Sequence, residues 1–67
     1  MKVFCERLKE LRVEKGISSK DLGKELRVSS STIIRWENGV IVPSIDNLYN
    51  IAVYFKVSSD YLIGLED

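Results

Sequence analysis

The chain has almost none of the residues that build disulfide or metal frameworks. Its 67 residues include one cysteine, Cys5, and no histidine. A disulfide needs two cysteines, and a structural zinc site needs about four cysteine or histidine ligands, so neither can form within one copy. Cys5 also has no histidine to activate it, and no glycine-rich phosphate loop is present. We therefore expect no metal, no cofactor and no enzymatic activity.

Long apolar runs are also absent. No stretch approaches the roughly 18 to 20 apolar residues of a membrane span, and the first residues pass directly into a charged helical pattern instead of a signal sequence. A reduced, cytoplasmic protein without membrane association is expected. The length lies near the lower limit for folding without disulfides or metals, so we expect a single domain over residues 1–67.

The charges are balanced in number but not in position. Ten basic and ten acidic side chains give a net charge of zero. Residues 1–36 contain nine basic and five acidic side chains, a net charge of +4, whereas residues 37–67 contain one and five, a net charge of −4. One half of the molecule can therefore face a polyanion such as DNA while the other half faces away.

Apolar spacing and capping signals predict five helices and no strand. A repeated pattern has an apolar residue, a serine that caps the helix, and a second apolar residue four positions after the serine, which together form a hydrophobic staple. It occurs at Ile17-Ser18 with Leu22, Val28-Ser29 with Ile33, and Val57-Ser58 with Leu62. The predicted helices are 3–15, 18–26, 29–38, 44–55 and 58–65. The buried stripe of the fourth is expected to be Ile45, Leu48, Ile51, Ala52 and Phe55.

The link between the second and third helices is very short. Only Arg27 and Val28 separate the second helix from the Ser29 cap. So short a link forces the two helices to cross at a steep angle, as in a helix-turn-helix. Position 27 is expected to need a left-handed backbone, which costs a residue other than glycine on the order of 1 kcal/mol.

The residues around this turn resemble a known family. The run ISSKDLGKELRVSSSTIIRWENG at 17–39 is followed by Pro43-Ser44 and by VSSDYL at 57–62. Together they resemble the Cro and phage-repressor type of helix-turn-helix, also called the XRE family. The resemblance implies a compact, all-α, five-helix domain that binds double-stranded DNA as a homodimer and regulates transcription, with repression expected. Because the same fold serves other purposes, an interaction module or antitoxin-like partner with weak DNA binding is the alternative.

The third helix, 29–38, is implied by the resemblance to be the recognition helix. On a helical wheel Ile33 and Trp36 share the core side. The outward strip on the other side consists of Ser30, Ser31, Ile34 and Arg35. The resemblance implies that this strip reads bases in the major groove, where arginine suits guanine and serine suits several base edges. Ile34 either contacts a thymine methyl group or lies back against the second helix.

Other roles are implied outside this strip. Phosphate contacts are expected from Ser19, Lys20, Arg27, Ser29 and Asn38, although Ser29 serves equally well as a helix cap. Arg12 and Glu37 are expected to form an ion pair between the first and third helices. The homodimer contact is expected at Tyr54, Tyr61, Leu62, Ile63 and Leu65.

Three features depart from the family pattern and favour the interaction module. Gly23 replaces an alanine that usually packs beneath the recognition helix, and Ile34 stands where a polar residue is common. Val40-Ile41-Val42 stands where lysine or arginine often occurs, and either Ile41 or Val42 is expected to join the core under the fourth helix. The presence of Arg35 and the uneven charge favour the regulator.

Overall fold

The computed structural model describes all residues 1–67, which form five α-helices and no β-strand. The helices are α1 (Lys2–Lys15), α2 (Ser19–Leu26), α3 (Ser30–Glu37), α4 (Ile45–Phe55) and α5 (Ser59–Ile63). Each confirms a predicted helix to within two residues at either end. The α5 helix ends earlier than expected because Gly64 adopts a left-handed backbone with φ of 87°. None of the five is long and apolar enough to span a membrane.

Serine side chains cap four of the five helices. Each Oγ accepts a hydrogen bond from the backbone N–H three residues further on, in the caps at Ser18, Ser29, Ser44 and Ser58. Such a cap stabilises a helix start by about 1 kcal/mol. The three predicted staples place their second apolar residue in the core, since Leu22, Ile33 and Leu62 are completely buried. Four caps therefore fix where α2, α3, α4 and α5 begin.

One hydrophobic core joins all five helices. Its nine buried side chains are Phe4, Leu8, Leu22, Leu26, Ile33, Trp36, Ile51, Ala52 and Leu62. Trp36 and Ile33 bring α3 into this core, next to α1 and α2. Because α3 is held only along this inner side, its opposite side remains at the surface.

The expected buried stripe of α4 is wrong at its first residue. Ile45 is exposed, whereas Ile51 and Ala52 are buried and Leu48 is partly buried. Ile45 lies about 70° from the centre of the buried stripe on the helical wheel, on the side that it shares with Tyr49. An apolar side chain at that angle extends past the core instead of into it.

The loop between α3 and α4 also differs from expectation. Val40, Ile41 and Val42 are all exposed, so the prediction that Ile41 or Val42 joins the core under α4 is wrong. The N–H of Val40 donates to the carbonyl oxygen of Arg35 at 2.9 Å and closes the end of α3. Pro43 is the partly buried residue of this segment, directly before the Ser44 cap. Pro43, and not the valine or isoleucine side chains, is therefore the part of this loop that is partly withdrawn from solvent.

Candidate nucleic-acid interface

The turn between α2 and α3 has the backbone conformation that the short link predicts. Arg27 is left-handed, with φ of 59° and ψ of 41°, and its N–H points to the carbonyl groups of Gly23 and Lys24. The N–H of Val28 donates to the Gly23 carbonyl oxygen at 2.9 Å. The prediction of a left-handed residue at position 27 is therefore confirmed. The turn closes within two residues and brings the start of α3 against α2.

Gly23 is buried where this turn lies against α2. A Cβ atom added to it would lie 2.7 Å from the carbonyl oxygen of Val28 and 3.3 Å from the backbone of Ser29 and Ser30. The contact is with backbone, which cannot move aside as the end of a flexible side chain can. The glycine in place of the usual alanine thus permits close packing of the turn, and it does not indicate a loosened helix-turn-helix.

The two sides of α3 differ in burial as the helical wheel predicts. Ile33 and Trp36 are buried in the core. The outward strip of Ser30, Ser31, Ile34 and Arg35 is exposed. Ile34 leaves 47% of its surface open, so it is not packed away against α2. The strip is therefore a contiguous surface of two hydroxyl groups, one apolar side chain and one guanidinium group.

Arg35 carries an unpaired positive charge on this strip. The single ion pair of the chain joins Arg12 and Glu37, and Arg35 makes no side-chain hydrogen bond within the chain. An arginine side chain presents a planar fork of N–H donors that fits paired acceptors such as guanine O6 and N7. Its donors are free to bind an external group.

The beginning of α3 combines a closed cap with a site free of negative charge. Ser29 Oγ accepts from the Thr32 N–H at 3.1 Å and lies 3.0 Å from Ser31 Oγ and 2.9 Å from Thr32 Oγ1. The hydroxyl of Ser29 is thus used within the helix start. No acidic side chain lies in the first turn of α3, so the positive end of the helix dipole is available to an anion.

The remaining residues expected at phosphates lie on different elements. Ser19 is partly buried as the first residue of α2, and Lys20 is exposed next to it. Asp21 lies in the same first turn and reduces the attraction of α2 for an anion. Arg27 is exposed at the turn, and Asn38 is exposed where α3 ends.

The ion pair between Arg12 and Glu37 fixes the far end of α3 against α1. Arg12 Nε donates to Glu37 Oε2 at 2.6 Å and Nη2 donates to Oε1 at 3.0 Å, while Nη1 reaches the Ile17 carbonyl oxygen at 3.1 Å. The side chains are only 16% and 6% exposed. The hydrogen bonds to Glu37 raise the pKa of Arg12, against an opposing effect of burial. This paired geometry orients the helix that carries the outward strip.

The residues expected at a dimer contact do not form one exposed surface. Leu62 is completely buried in the core, so its assignment to a dimer contact is wrong. Tyr61 is partly buried and lies under the guanidinium group of Arg7, 4.3 Å from the ring centre. Tyr54 and Ile63 are also partly buried. Leu65, at 72% exposed, is the only one of the five that is mostly open to solvent.

Arg7 closes the end of α5, a role that the sequence did not reveal. Its Nη1 donates to the carbonyl oxygens of Tyr61 and, at 2.7 Å, of Glu66. Since 54 positions separate Arg7 from Tyr61, no local pattern links them.

A second feature that the sequence analysis missed is the exposed apolar stripe of Ile45, Tyr49 and Val53 on α4. Its signal is present in the sequence, because these apolar residues recur every four positions.

Comparison with known proteins agrees with this geometry. A family model described as helix-turn-helix matches residues 8–62. The HTH-type transcriptional activator BcrR of Enterococcus faecalis is 34% identical over 64 residues, which cover 96% of the chain and 31% of that protein. The HTH-type transcriptional regulator DdrOP3 of Deinococcus deserti is 35% identical over 64 residues, covering 94% and 50%. The chain thus spans half or less of the length of these curated relatives.

Two solved structures share the arrangement of the helices. The P22 c2 repressor in complex with a synthetic operator has a TM-score of 0.85 at 32% identity, with 88% of this chain and 89% of that chain covered. The SOS-response repressor LexA from Eubacterium rectale has a TM-score of 0.88 at 26% identity, with 97% and 67% covered. The chain belongs to the Cro and phage-repressor type, or XRE-type, family of helix-turn-helix DNA-binding domains.

Proposed function

We propose that this chain is a sequence-specific transcriptional regulator, acting as a repressor, that reads the major groove of DNA with α3 as a homodimer. The observation that carries the proposal is the exposed strip on α3 with an unpaired Arg35. The strip lies on a helix that is anchored by Trp36 and oriented by the ion pair of Glu37. Direct readout of bases needs such a helix, because side chains must be held in register with base edges.

Each residue of the strip has a chemical counterpart in the groove. Arg35 donates two hydrogen bonds to a guanine, a contact worth about 1 to 3 kcal/mol of discrimination against other bases. Ser30 and Ser31 bind base edges or phosphates with little selectivity. Ile34 contacts a thymine methyl group, and its 47% exposure supports this alternative over packing on α2.

Phosphate contacts position this strip on the duplex. The start of α3 offers backbone N–H groups and a positive dipole end to one phosphate, with Ser29 acting through its backbone since its hydroxyl is held in the cap. Lys20, Arg27 and Asn38 are exposed and extend the contact, together with the partly buried Ser19. The P22 c2 repressor, which shares this fold, forms a complex with a synthetic operator.

A homodimer supplies the affinity that one copy lacks. One recognition helix contacts only a few base pairs, and specific binding by this type of domain uses two half-sites about 34 Å apart. The molecule measures 28 × 23 × 21 Å, so two copies are small enough to lie side by side on half-sites this far apart. Arg35 is the only cationic residue of the strip, which leaves a single copy with weak attraction to DNA.

Selection of bound sequences from random double-stranded DNA, at low and at moderate salt, tests the proposal. We expect a palindromic motif with half-sites about 10 base pairs apart and a steep loss of affinity with salt. Arg35→Ala should abolish the enrichment. Lys9→Ala is the matched control, because it removes one exposed positive charge from α1 among Glu6, Glu10 and Glu14 and should leave the motif unchanged.

One observation favours the alternative of a protein-interaction module. The loop Val40-Ile41-Val42 follows α3 with three exposed apolar side chains and no basic residue. Such a surface suits a protein partner better than a phosphate. If selection by the folded chain enriches no sequence at either salt concentration while Arg35 is intact, the regulator is refuted and the interaction module takes its place.

A further inference from the structure

The α4 helix exposes an apolar stripe that the core does not use. Ile45, Tyr49 and Val53 are 85%, 67% and 58% exposed and follow one another at intervals of four residues. We name these three residues the α4 face. It is continuous with a shallow groove whose lining includes Leu48 and Val57. A helix that packs on a core with one side normally shows polar residues on the other, so this stripe marks a contact surface.

The size of the α4 face matches the apolar part of a small specific interface. Burial of its three side chains on two copies would remove on the order of 500 Å² from water, given the areas typical of these residue types. Specific interfaces begin near roughly 1,000 Å² in total, and about 65% of a homodimer interface is apolar. A second copy therefore provides enough area once the flanking polar residues are included.

Charges at the two ends of α4 favour an antiparallel pair of these helices. Asp46 lies in the first turn, Lys56 follows the last residue, and the α4 face between them carries no charge. In an antiparallel pair Asp46 lies toward Lys56 of the partner subunit, whereas a parallel pair would bring Asp46 toward its own copy. Opposite charges at neighbouring helix ends favour the antiparallel orientation, and like charges disfavour the parallel one.

We propose that the α4 face is the homodimer interface, with the two α4 helices packed antiparallel across a two-fold axis at Tyr49. Tyr49 then meets its own copy, and Ile45 packs against Val53 of the partner subunit. Residues at intervals of four form the ridges that interlock when two helices pack. The inference rests on the proposed function for its purpose, because the second copy reads the second half-site, but the dimer itself forms without DNA.

Sedimentation equilibrium without DNA tests the interface directly. Tyr49→Lys should weaken the dimer by at least about 30-fold, as for a central aromatic contact, while the circular dichroism spectrum of the folded chain stays unchanged. Val13→Lys is the matched control, since Val13 is an exposed valine on α1, and it should leave the dimer intact. Leu65→Lys tests the other possible dimer contact, which the sequence analysis expected at α5 and Leu65. A wild-type chain that is monomeric at millimolar concentration, or a dimer weakened by Leu65→Lys but not by Tyr49→Lys, overturns the proposal.

A symmetric disulfide tests the two-fold axis. In a chain with Cys5→Ser, the change Tyr49→Cys should give a covalent dimer on mild oxidation, because a disulfide forms only when two Cα atoms approach within about 7 Å. Val13→Cys in the same background should not cross-link. Failure of Tyr49→Cys to cross-link, or cross-linking of Val13→Cys to the same extent, overturns the arrangement.

DNA binding separates this inference from the proposed function. A dimer that depends on Tyr49 but selects no DNA sequence leaves the interface standing and refutes the regulator. Two half-sites selected by a dimer that is indifferent to Tyr49→Lys leave the regulator standing and refute the interface. Arg35→Ala should abolish sequence selection without changing the dimer.

Discussion

Removal of the Glu37 carboxylate leaves the guanidinium group of Arg12 without its partner in a mostly buried position. In Glu37→Ala, Arg12 loses the bonds of 2.6 and 3.0 Å that it makes to the carboxylate and keeps only the 3.1 Å bond to the Ile17 carbonyl oxygen. Its side chain is 16% exposed, so water restores little of what is lost. We therefore expect a large loss of stability from a single change that does not touch the outward strip.

The size of the stability loss in Glu37→Ala follows from the burial of the Arg12–Glu37 ion pair. Breaking a buried ion pair from one side costs about 3 to 5 kcal/mol, and the remaining bond and partial exposure of Arg12 place this case near 3 kcal/mol. For a domain of this size each kcal/mol lowers the thermal midpoint by about 4 to 8 °C, so the midpoint should fall by at least about 12 °C. The DNA motif selected below the new midpoint should be the same as that of the wild type, because Ile33 and Trp36 still hold α3 in the core.

Thermal unfolding followed by circular dichroism measures this effect. A change of less than about 2 °C in the midpoint would show that the pair contributes almost nothing, as most exposed pairs do. The double change Arg12→Met with Glu37→Leu should be more stable than Glu37→Ala, since no unpaired charge remains. If the double variant loses as much stability as the sum of the losses in Arg12→Met alone and Glu37→Leu alone, the coupling between the two residues is refuted.

The raised pKa of Arg12 also predicts how the difference in thermal midpoint between the wild type and Glu37→Ala depends on pH. A base whose pKa rises on folding contributes its full stability below its unfolded pKa and loses it as the pH rises through its folded pKa. Arginine titrates above about pH 12. The difference in midpoint between wild type and Glu37→Ala should therefore stay constant between about pH 7 and 10, and a decline in that window would contradict the assignment.

Three further changes test the turn and the loop. Gly23→Ala should lower the free energy of unfolding by about 1 to 2 kcal/mol, because overpacking against the Val28 carbonyl outweighs the gain in helix propensity; a more stable variant in urea would contradict this. Arg27→Gly should raise stability by up to about 1 kcal/mol while weakening DNA binding, since glycine suits the left-handed backbone but lacks the charge. Val40→Lys should strengthen DNA binding and steepen its salt dependence, and a loss of dimerisation in its place would show that the loop holds the second subunit.

The helices could be predicted from the sequence because their signals are local. Each serine cap and its staple occupy about six consecutive positions, so they specify a helix start whatever surrounds it. The left-handed backbone at Arg27 was predictable for the same reason, since it follows from the length of the turn. The two sides of α3 followed from helical periodicity alone.

What could not be predicted depends on partners that are distant in sequence. Apolar character shows that Ile45 and Ile41 can be buried, but only the packed structure shows that the core is filled without them. Leu62 was expected both as a staple residue and as a dimer contact. Only the first role is possible, because the Leu62 side chain is completely buried in the core of its own copy. Arg7 caps α5 from the other end of the chain, and no periodic pattern connects the two.

The most direct test of DNA reading by α3 is to change the base that Arg35 selects. Arginine pairs with guanine and glutamine with adenine in the major groove, so selection from random DNA should be repeated with Arg35→Gln. The predicted result is a motif in which one guanine of each half-site becomes adenine while the other positions and the half-site spacing are unchanged. An unchanged motif from the folded Arg35→Gln variant would contradict base reading by Arg35 and with it the assignment of the outward strip of α3.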